Sequence, residues 1–374
     1  MSHVKNILVT GAAGYIGGSI LADFLSRPDL LAPAKLHAVV RSEEQLQALS
    51  KLNVSVLNFE LDDSAAVAAA VDQNQIDLII HAANSSDTLI VTNLVEALGR
   101  RRSTTGKPVF FIHVRPQDSA LPDMPLNLLQ SSVTTLFSEE AGWPHGMLKD
   151  TESIYEKEKE LGSSHPVLQT NLLVVEKAQE CGVKCFNVVV PNVYGRGKGE
   201  WRKVSILIPA LIQASIRLEK VHKFDVDGHP PAAHISDLVA LYRILVHKIL
   251  ENEDIPSGKD GYYFAMAHRA PWWAYMRAIA QSLHARGLVA DPEVELWPSD
   301  EAAAKALKFP VQFIRAMGTA SGGLEPVNAR QLGWQPIWDE RRFLESTDEE
   351  VQAVLDLDTI RTGIFDKLMQ PATD

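Results

Sequence analysis

The sequence predicts an α/β protein built on a doubly wound parallel sheet, followed by a smaller α/β lobe. Three observations carry this prediction. Short apolar runs alternate with longer helix-like segments in the first half of the chain, and these runs lack the strict polar alternation of half-exposed strands. In addition, a glycine-rich turn separates the first run from the first helix. A chain of this kind buries its strands between helices on both faces of one sheet.

The elements are predicted in chain order. Strands are placed at residues 4–10, 36–40, 54–61, 76–83, 109–114 and 184–190, and helices near 15–26, 43–49, 64–71, 84–102 and 167–181. Beyond residue 195 the alternation loosens, with helices predicted near 203–218, 236–250, 271–286, 299–307 and 345–369 and a strand at 261–265. Residues 139–165 are predicted to be a long inserted loop that closes over a ligand.

Composition and charge exclude several classes of function. The 374 residues are 46% hydrophobic and 22% charged, which is typical of a globular enzyme and not of a disordered chain. With 47 acidic against 36 basic residues, the net charge of −11 disfavours nucleic acid and anionic membrane surfaces as partners. Two cysteines cannot build a disulfide framework, no apolar run reaches the length of a membrane span, and no signal peptide is evident. We therefore expect a cytoplasmic protein.

The turn after the first predicted strand has glycines at G-x-x-G-x-x-G spacing. Gly11 permits the tight turn, Gly14 lets a pyrophosphate approach the backbone, and Gly17 lets the helix pack close to the strand. The free N–H groups of the helix that follows favour an anionic phosphate. Residues 1–200 are therefore predicted to be a dinucleotide-binding Rossmann domain. Residues 201–374 are mainly a substrate-binding lobe, of which about 221–250 return to the sheet domain.

Further motifs make the chain resemble the extended short-chain dehydrogenases/reductases, a family that includes nucleotide-sugar epimerases and dihydroflavonol-type reductases. The segments that carry the resemblance are Glu60-Leu61-Asp62-Asp63, His81-Ala82-Ala83-Asn84, Pro191-Asn192-Val193-Tyr194-Gly195, His234-Ile235-Ser236-Asp237 and Leu332-Gly333-Trp334. The resemblance implies that a dinucleotide contacts Gly11, Ala13, Gly14, Tyr15, Ile16, Gly17, Glu60, Leu61, Ala82, Ala83, Asn84, Pro191, Asn192 and Val193. It also implies the possibility of a homodimer.

The end of the second predicted strand favours NADP over NAD. NAD-binding folds of this kind generally need a carboxylate here to hold the ribose 2′-hydroxyl, whereas this chain has Arg41 and Ser42. A cation and a hydroxyl suit a 2′-phosphate, so NADP is the first choice of cofactor and NAD the second. The alternative is that Arg41 is a surface residue beside Glu43 and Glu44.

The candidate catalytic residues depart from the pattern of the family. The resemblance implies a Tyr-x-x-x-Lys pair on the helix before the sixth strand, with the ammonium lowering the pKa of the phenol, and a serine at the end of the fifth strand. Tyr155 and Lys159 have this spacing and are the predicted pair, although Pro166 separates them from that helix. His113 or Arg115 takes the place of the serine, as an acid–base or an anion-binding group.

Three functional hypotheses follow. The first is an NADP-dependent oxidoreductase acting on a small, fairly apolar carbonyl or hydroxy compound, with Trp201, Trp272 and Trp273 as candidate walls of the substrate pocket. The second is an atypical enzyme of the same fold that catalyses a non-redox isomerisation, cyclisation or elimination. The third is a non-catalytic redox sensor that binds NAD(P). No metal site is predicted, because the sequence has no metal-ligand spacing.

Overall fold

The strands of the protein form one large sheet and three small ones. A computed structural model describes residues 4–84, 86–115, 137–138, 143–162 and 166–357. In chain order the strands are β1 (Asn6–Thr10), β2 (Lys35–Val40), β3 (Ser55–Asn58), β4 (Leu78–His81), β5 (Phe110–Arg115), β6 (Leu148–Lys149), β7 (Lys184–Val189), β8 (Asn192–Tyr194), β9 (Val221–Lys223), β10 (Pro231–His234), β11 (Tyr262–Phe264), β12 (His268–Arg269), β13 (Val294–Leu296) and β14 (Leu324–Glu325).

The helices lie on both faces of the large sheet and throughout the second half of the chain. They are α1 (Tyr15–Leu25), α2 (Pro28–Leu31), α3 (Glu43–Leu49), α4 (Ser64–Gln73), α5 (Thr88–Thr105), α6 (Ile154–Leu161), α7 (Pro166–Cys181), α8 (Leu207–Leu218), α9 (Ile235–Leu250), α10 (Trp272–Ala285), α11 (Asp300–Leu307), α12 (Val311–Thr319), α13 (Val327–Gln331), α14 (Glu340–Glu345) and α15 (Thr347–Asp356). None of these described helices is both long enough and apolar enough to cross a membrane.

The large sheet has seven strands in the order β11-β7-β5-β4-β1-β2-β3, and every neighbouring pair is parallel. Helices α1, α3 and α9 cover one face, while α4, α5, α6 and α7 cover the other. Because both faces are covered, the central strands are apolar along most of their length, as the uninterrupted runs predicted. The predicted doubly wound α/β fold is thereby confirmed.

The second half of the chain builds a lobe with its own core and also returns to the sheet. Helices α8, α10, α11, α12 and α15 surround that core together with the paired strands β9 and β13. Helix α9, in contrast, packs against α1, and β11 adds the outermost strand beside β7. Strands β8, β10 and β12 form a three-stranded sheet between these parts of the chain.

The prediction of one inserted loop at 139–165 is wrong for the described part of that segment. Strand β6 and helix α6 lie within it, and Trp143 is buried against Phe137 with ring centroids 4.7 Å apart. Helix α6 ends where Gly162 adopts φ +75°, and α7 begins at Pro166, the residue predicted to separate them. Of the helix predicted at 345–369, the structure describes the residues up to 357. This part of the chain forms the end of α14 and then α15 instead of one continuous helix.

Candidate functional site: a glycine turn at the carboxyl edge of the sheet

The turn between β1 and α1 requires glycine for two separate reasons. Gly11 has φ +65°, a backbone conformation that L side chains rarely adopt, and a Cβ atom there would overlap the carbonyl oxygen of Ala82 on the neighbouring strand segment. A Cβ atom at Gly17 would in turn overlap the carbonyl oxygen of Gly11. Within the turn, the N–H of Gly14 donates to that same Gly11 oxygen at 2.7 Å. The backbone is therefore folded tightly enough for α1 to pack directly on the sheet.

The N-terminus of α1 is open to an anion. Its N-cap residue, Gly14, has no side chain, and the first turn of the helix contains no acidic residue. The N–H groups of that turn have no partner within the helix, and the helix dipole gives this end a partial positive charge. The predicted contacts at Ala13, Gly14, Tyr15, Ile16 and Gly17 are thus at a position suited to a pyrophosphate.

Tyr15 holds the turn that follows β8 against α1. Its hydroxyl donates to the carbonyl oxygen of Gly195 at 2.6 Å, and Gly199 approaches Gly18 closely enough that a Cβ atom there would lie 3.0 Å from the Gly18 backbone. Burial, together with the nearby Glu350 carboxylate, raises the pKa of Tyr15 well above its usual value. The phenol is therefore a neutral donor that fixes the two segments together, and its hydroxyl is committed to Gly195.

Arg41 and Ser42 follow β2, but they differ in whether their side chains are free to bind a ligand. The Arg41 side chain is exposed and has no carboxylate partner among the described residues, although its backbone N–H donates to Gln45 at 3.3 Å. The Ser42 hydroxyl accepts from the Gln45 backbone N–H at 3.3 Å and so caps α3. Of the two predicted 2′-phosphate contacts, Arg41 is free to meet a ligand, whereas Ser42 already has a structural bond.

The remaining predicted cofactor contacts lie along the same edge of the sheet. Glu60 is exposed and Leu61 half-buried, and Asn93 of α5 donates to the carbonyl oxygens of Leu61 and Asp62, both at 3.1 Å. Behind β4, the side chain of Asn84 accepts from the Ser86 hydroxyl at 3.2 Å. The other members of this set are the half-buried Ala82 and Ala83 and the buried Pro191, Asn192 and Val193.

The predicted pair Tyr155 and Lys159 lies elsewhere. The Tyr155 hydroxyl donates to a Glu176 carboxylate oxygen at 2.8 Å, and the Lys159 ammonium is 3.4 Å from that hydroxyl. The ammonium of Lys259, in the 3-10 turn Gly258–Asp260 that enters β11, is 4.5 Å from the centre of the Tyr155 ring. Tyr155 therefore lies beside β11, the outermost strand, and β7, β5 and β4 separate that strand from β1, which the glycine turn follows.

The electrostatics of Tyr155 also differ from those of an activated tyrosine. Burial and the hydrogen bond to Glu176 raise the pKa of Tyr155, against the smaller lowering effect of Lys159. A catalytic phenol needs the opposite shift, because it must release its proton near neutral pH. Neither the position nor the pKa of Tyr155 supports proton transfer beside a dinucleotide on the glycine turn.

Helix α7, which leads into β7, carries other residues where the resemblance implies the pair. Its first half contains buried Leu168, Thr170 and Asn171. The Thr170 hydroxyl donates to the Ser86 carbonyl oxygen at 3.1 Å, and the Asn171 amide donates to Glu158 of α6 at 2.9 Å. This half of the helix has a packing role and offers no acid–base pair to the cleft.

His113 is not at the surface of the cleft either. Its side chain is 1% exposed and stacks on His81 with ring centroids 5.7 Å apart. Arg115 ends β5, opposite Val189 of β7, and its side chain lies outside the described part of the chain. Its predicted role in anion binding therefore stays a prediction.

A row of polar residues crosses the sheet on the face covered by α5, α6 and α7, and sequence reasoning missed it as a unit. The members pair in register from β1 to β11, and they are Thr10, His81, His113, Asn187 and Tyr262. The Thr10 hydroxyl is 2.8 Å from His81 Nδ1, and Tyr262 donates to buried Glu158 at 2.8 Å. The available signal was a polar residue within each of these largely apolar strands.

Burial governs the protonation of this row. It lowers the pKa of His81 to about 4, so the imidazole is neutral at physiological pH. Both polar side-chain atoms of Asn187 lack a hydrogen-bond partner among the described residues, although Asn187 is fully buried. His81 therefore adds no positive charge to this polar row inside the sheet domain.

The second lobe contains an apolar pocket to which two of the three predicted tryptophans contribute. Trp272 and Trp273 line it at the start of α10, together with Trp297. Trp201 instead packs against the core on the α1 and α9 face of the sheet. About 390 Å³ of empty space lies in the pocket and its mouth together, a volume that includes open solvent.

Comparisons with known proteins agree with this geometry. The model of the NmrA-like family matches residues 3–103, the part of the chain that contains the glycine turn, Arg41 and Asn84. The oxidase ucsJ of Acremonium sp is 23% identical over 348 residues, which cover 89% of this chain and 93% of that protein.

Solved structures match nearly the whole chain. The dTDP-glucose 4,6-dehydratase of Bacillus anthracis, in complex with NAD, has a TM-score of 0.60 at 13% identity and covers 94% of this chain and 97% of its own. The UDP-glucose 4-epimerase of Thermotoga maritima has a TM-score of 0.58 at 15% identity, with 94% and 99% covered. The chain thus has the fold of the extended short-chain dehydrogenases/reductases, and the resemblance drawn from its motifs is confirmed.

Proposed function

We propose that the protein is an NADP-dependent oxidoreductase that acts on a small, fairly apolar carbonyl or hydroxy compound. The observation that carries the proposal is the glycine turn with its uncapped helix N-terminus, followed at the end of β2 by an exposed arginine. The fold of dehydrogenases, epimerases and dehydratases and the likeness to an oxidase support an enzyme of this class.

The dinucleotide would lie along the carboxyl edge of the sheet. The pyrophosphate would meet the N–H groups of the first turn of α1, with Gly14 at closest approach, and Glu60 and Leu61 would flank the adenine. Arg41 would hold the 2′-phosphate of NADP through a charge-assisted hydrogen bond, and the loop containing Asn84 would face the nicotinamide end. When bound, NADP supplies or accepts a hydride, while the residues of this chain bind it and exclude water.

Titration of the purified protein with NADPH and NADH tests the cofactor assignment. We expect NADPH to bind about tenfold or more tightly than NADH, because a charge-assisted hydrogen bond contributes about 1.5–3 kcal/mol. In Arg41→Asp, the affinity for NADPH should fall and that for NADH should rise, whereas Arg27→Asp, an exposed arginine at the end of α1, should change neither. No binding of either dinucleotide, or an unaltered preference in Arg41→Asp, would contradict the proposal.

A second candidate is an NAD(P)-binding protein of this fold that transfers no hydride, whether a non-redox enzyme or a redox sensor. One observation favours it: Tyr155 is bonded to Glu176, away from the glycine turn, and the first half of α7 offers no Tyr-Lys pair. NADPH absorbance followed with a panel of apolar ketones and aldehydes separates the two candidates. Oxidation of bound NADPH by any of them supports the oxidoreductase, and tight binding without turnover across the panel supports the second candidate.

A further inference from the structure

The pocket of the second lobe has walls suited to a flat, apolar ring system. It lies between α8, α10, α12 and the strand pair β9 and β13. Its lining includes Phe224, Trp272, Trp273, Met276, Trp297 and Met317. Aromatic faces and polarisable methionines pack well against planar ligands, and three indoles at one pocket supply both large apolar area and edge contacts.

Two of the tryptophans that line the pocket have an indole N–H without an acceptor in the described part of the chain. Trp272 Nε1 and Trp297 Nε1 are both buried, and neither has a hydrogen-bond partner among the described residues. Trp272 as a whole is only 4% exposed. A buried donor without an acceptor costs free energy, so a ligand oxygen that accepts from an indole N–H would recover part of that cost.

One cation stands at this pocket without a carboxylate partner in the described part of the chain. The Lys223 ammonium lies 3.8 Å from the centre of the Trp273 ring. The two acidic residues that follow are otherwise engaged: Asp225 pairs with Arg315, and Asp227 accepts the backbone N–H of Trp273 at 2.9 Å. A cation–π contact attracts the ammonium but does not neutralise it, so Lys223 keeps its positive charge beside apolar walls.

The geometry points to a substrate made of a flat, apolar ring system that carries one anionic group. The rings would lie among Trp272, Trp273 and Trp297, and the anionic group would pair with Lys223. This inference rests on the proposed function, because it assigns the pocket of the second lobe to the substrate of the dinucleotide-dependent reaction.

Two fluorescent probes that share a ring system and differ in charge test the inference. 1-Anilinonaphthalene-8-sulfonate carries one anionic group, and N-phenyl-1-naphthylamine has the same rings without it. Each is titrated into the full chain with NADPH in excess, so that the dinucleotide site is filled. We expect saturable binding of both, with the sulfonate about fivefold tighter, the scale of a partly exposed ion pair.

Variants identify the site of binding. Lys223→Met keeps the apolar stem and should abolish the fivefold preference for the sulfonate while leaving the neutral probe within about twofold. Lys305→Met, a matched exposed lysine on α11 of the same lobe, should leave both affinities unchanged. Trp297→Ala should weaken both probes about tenfold, with thermal unfolding checked to show that the variant is folded.

The inference is overturned by absence of saturable binding, by equal affinities for the two probes, or by a sulfonate preference that survives Lys223→Met. Dinucleotide binding is read separately by titration of NADPH alone. If NADPH does not bind but the probes behave as expected without it, the cofactor assignment fails and the ligand class of the pocket stands.

Discussion

Two halves of the same sheet edge differ in what their side chains are bonded to. Around β1, β2 and β4, the first turn of α1 is uncapped and Arg41 is exposed, so groups that favour an anion face solvent. Beside β7 and β11, three polar side chains have partners inside the protein: Tyr262 and Asn171 donate to Glu158, and Tyr155 donates to Glu176. The first half retains the features of a binding site, whereas the second has those of a packed core.

This difference shows that cofactor binding and chemistry can vary independently in one fold. Dinucleotide recognition depends on backbone geometry and a helix N-terminus, which a few glycines specify. Proton transfer depends on two side chains at a fixed place, and the first half of α7, the helix that leads into β7, carries neither a tyrosine nor a lysine. Variants of each half should therefore alter different measurements.

The largest effect is expected at Gly11. Gly11→Ala places a Cβ atom against the Ala82 carbonyl and forces an L residue to φ +65°, so we expect the free energy of unfolding to fall by about 3 kcal/mol. The NADPH dissociation constant should rise at least about 100-fold, since the turn that positions the first N–H groups of α1 must shift. Chemical denaturation and NADPH titration measure the two quantities.

Gly106 is the matched control for this variant. It has a similar φ of +69°, but a Cβ atom there would meet nothing within 4 Å. Gly106→Ala should therefore cost only the backbone term of about 1 kcal/mol and leave NADPH binding unchanged. Equal losses of stability in the two variants would show that the close approach to Ala82 has no energetic weight.

The next-largest effect is expected at His81, which ends β4 between the two halves of the sheet edge. It concerns the pH dependence of the unfolding free energy. The folded-state pKa of His81 is lowered to about 4 from 6.5, so the unfolded chain takes up a proton first as the pH falls. The stability that His81 contributes is complete above pH 6.5 and is lost as the pH falls toward 4, by about 3 kcal/mol at most.

Replacement isolates this contribution. His81→Asn keeps a hydrogen-bonding side chain beside Thr10 but does not titrate, so its unfolding free energy should vary less between pH 7 and 4.5 than that of the parent protein. An unchanged pH dependence in His81→Asn would mean that this imidazole is not neutral and buried in the folded state.

The sequence was informative wherever one residue type is dictated by local backbone geometry. The glycine spacing, the alternation of strands and helices along the first half of the chain and the start of α7 at Pro166 all follow from local rules, and each is present in the structure. The position of Tyr155 in the fold could not be predicted from local rules. Its spacing to Lys159 is correct, yet the position of α6 depends on contacts with Glu176 and Lys259, which are distant in sequence.

Charge patterns had the same limitation. Alternating Glu and Lys residues, as in α6, are typical of a solvated helix face. Glu158 in the middle of that pattern is nevertheless fully buried and accepts hydrogen bonds from Asn171 and Tyr262. The polar residues of the row across the sheet were visible in the sequence as well. Their arrangement as one row could be found only from the register between strands.

The smallest expected effect is the one that decides the role of Tyr155. Tyr155→Phe removes the hydrogen bond to Glu176, a half-exposed carboxylate that water can reach, so the free energy of unfolding should fall by about 1 kcal/mol. NADPH affinity should stay within about twofold, and any turnover found with the carbonyl panel should persist. Lys159→Met, which removes the ammonium near the same hydroxyl, should behave alike. If Tyr155→Phe instead leaves stability unchanged and lowers turnover by about 100-fold or more, the phenol transfers a proton, and the second half of the edge must open to bring it to the cofactor.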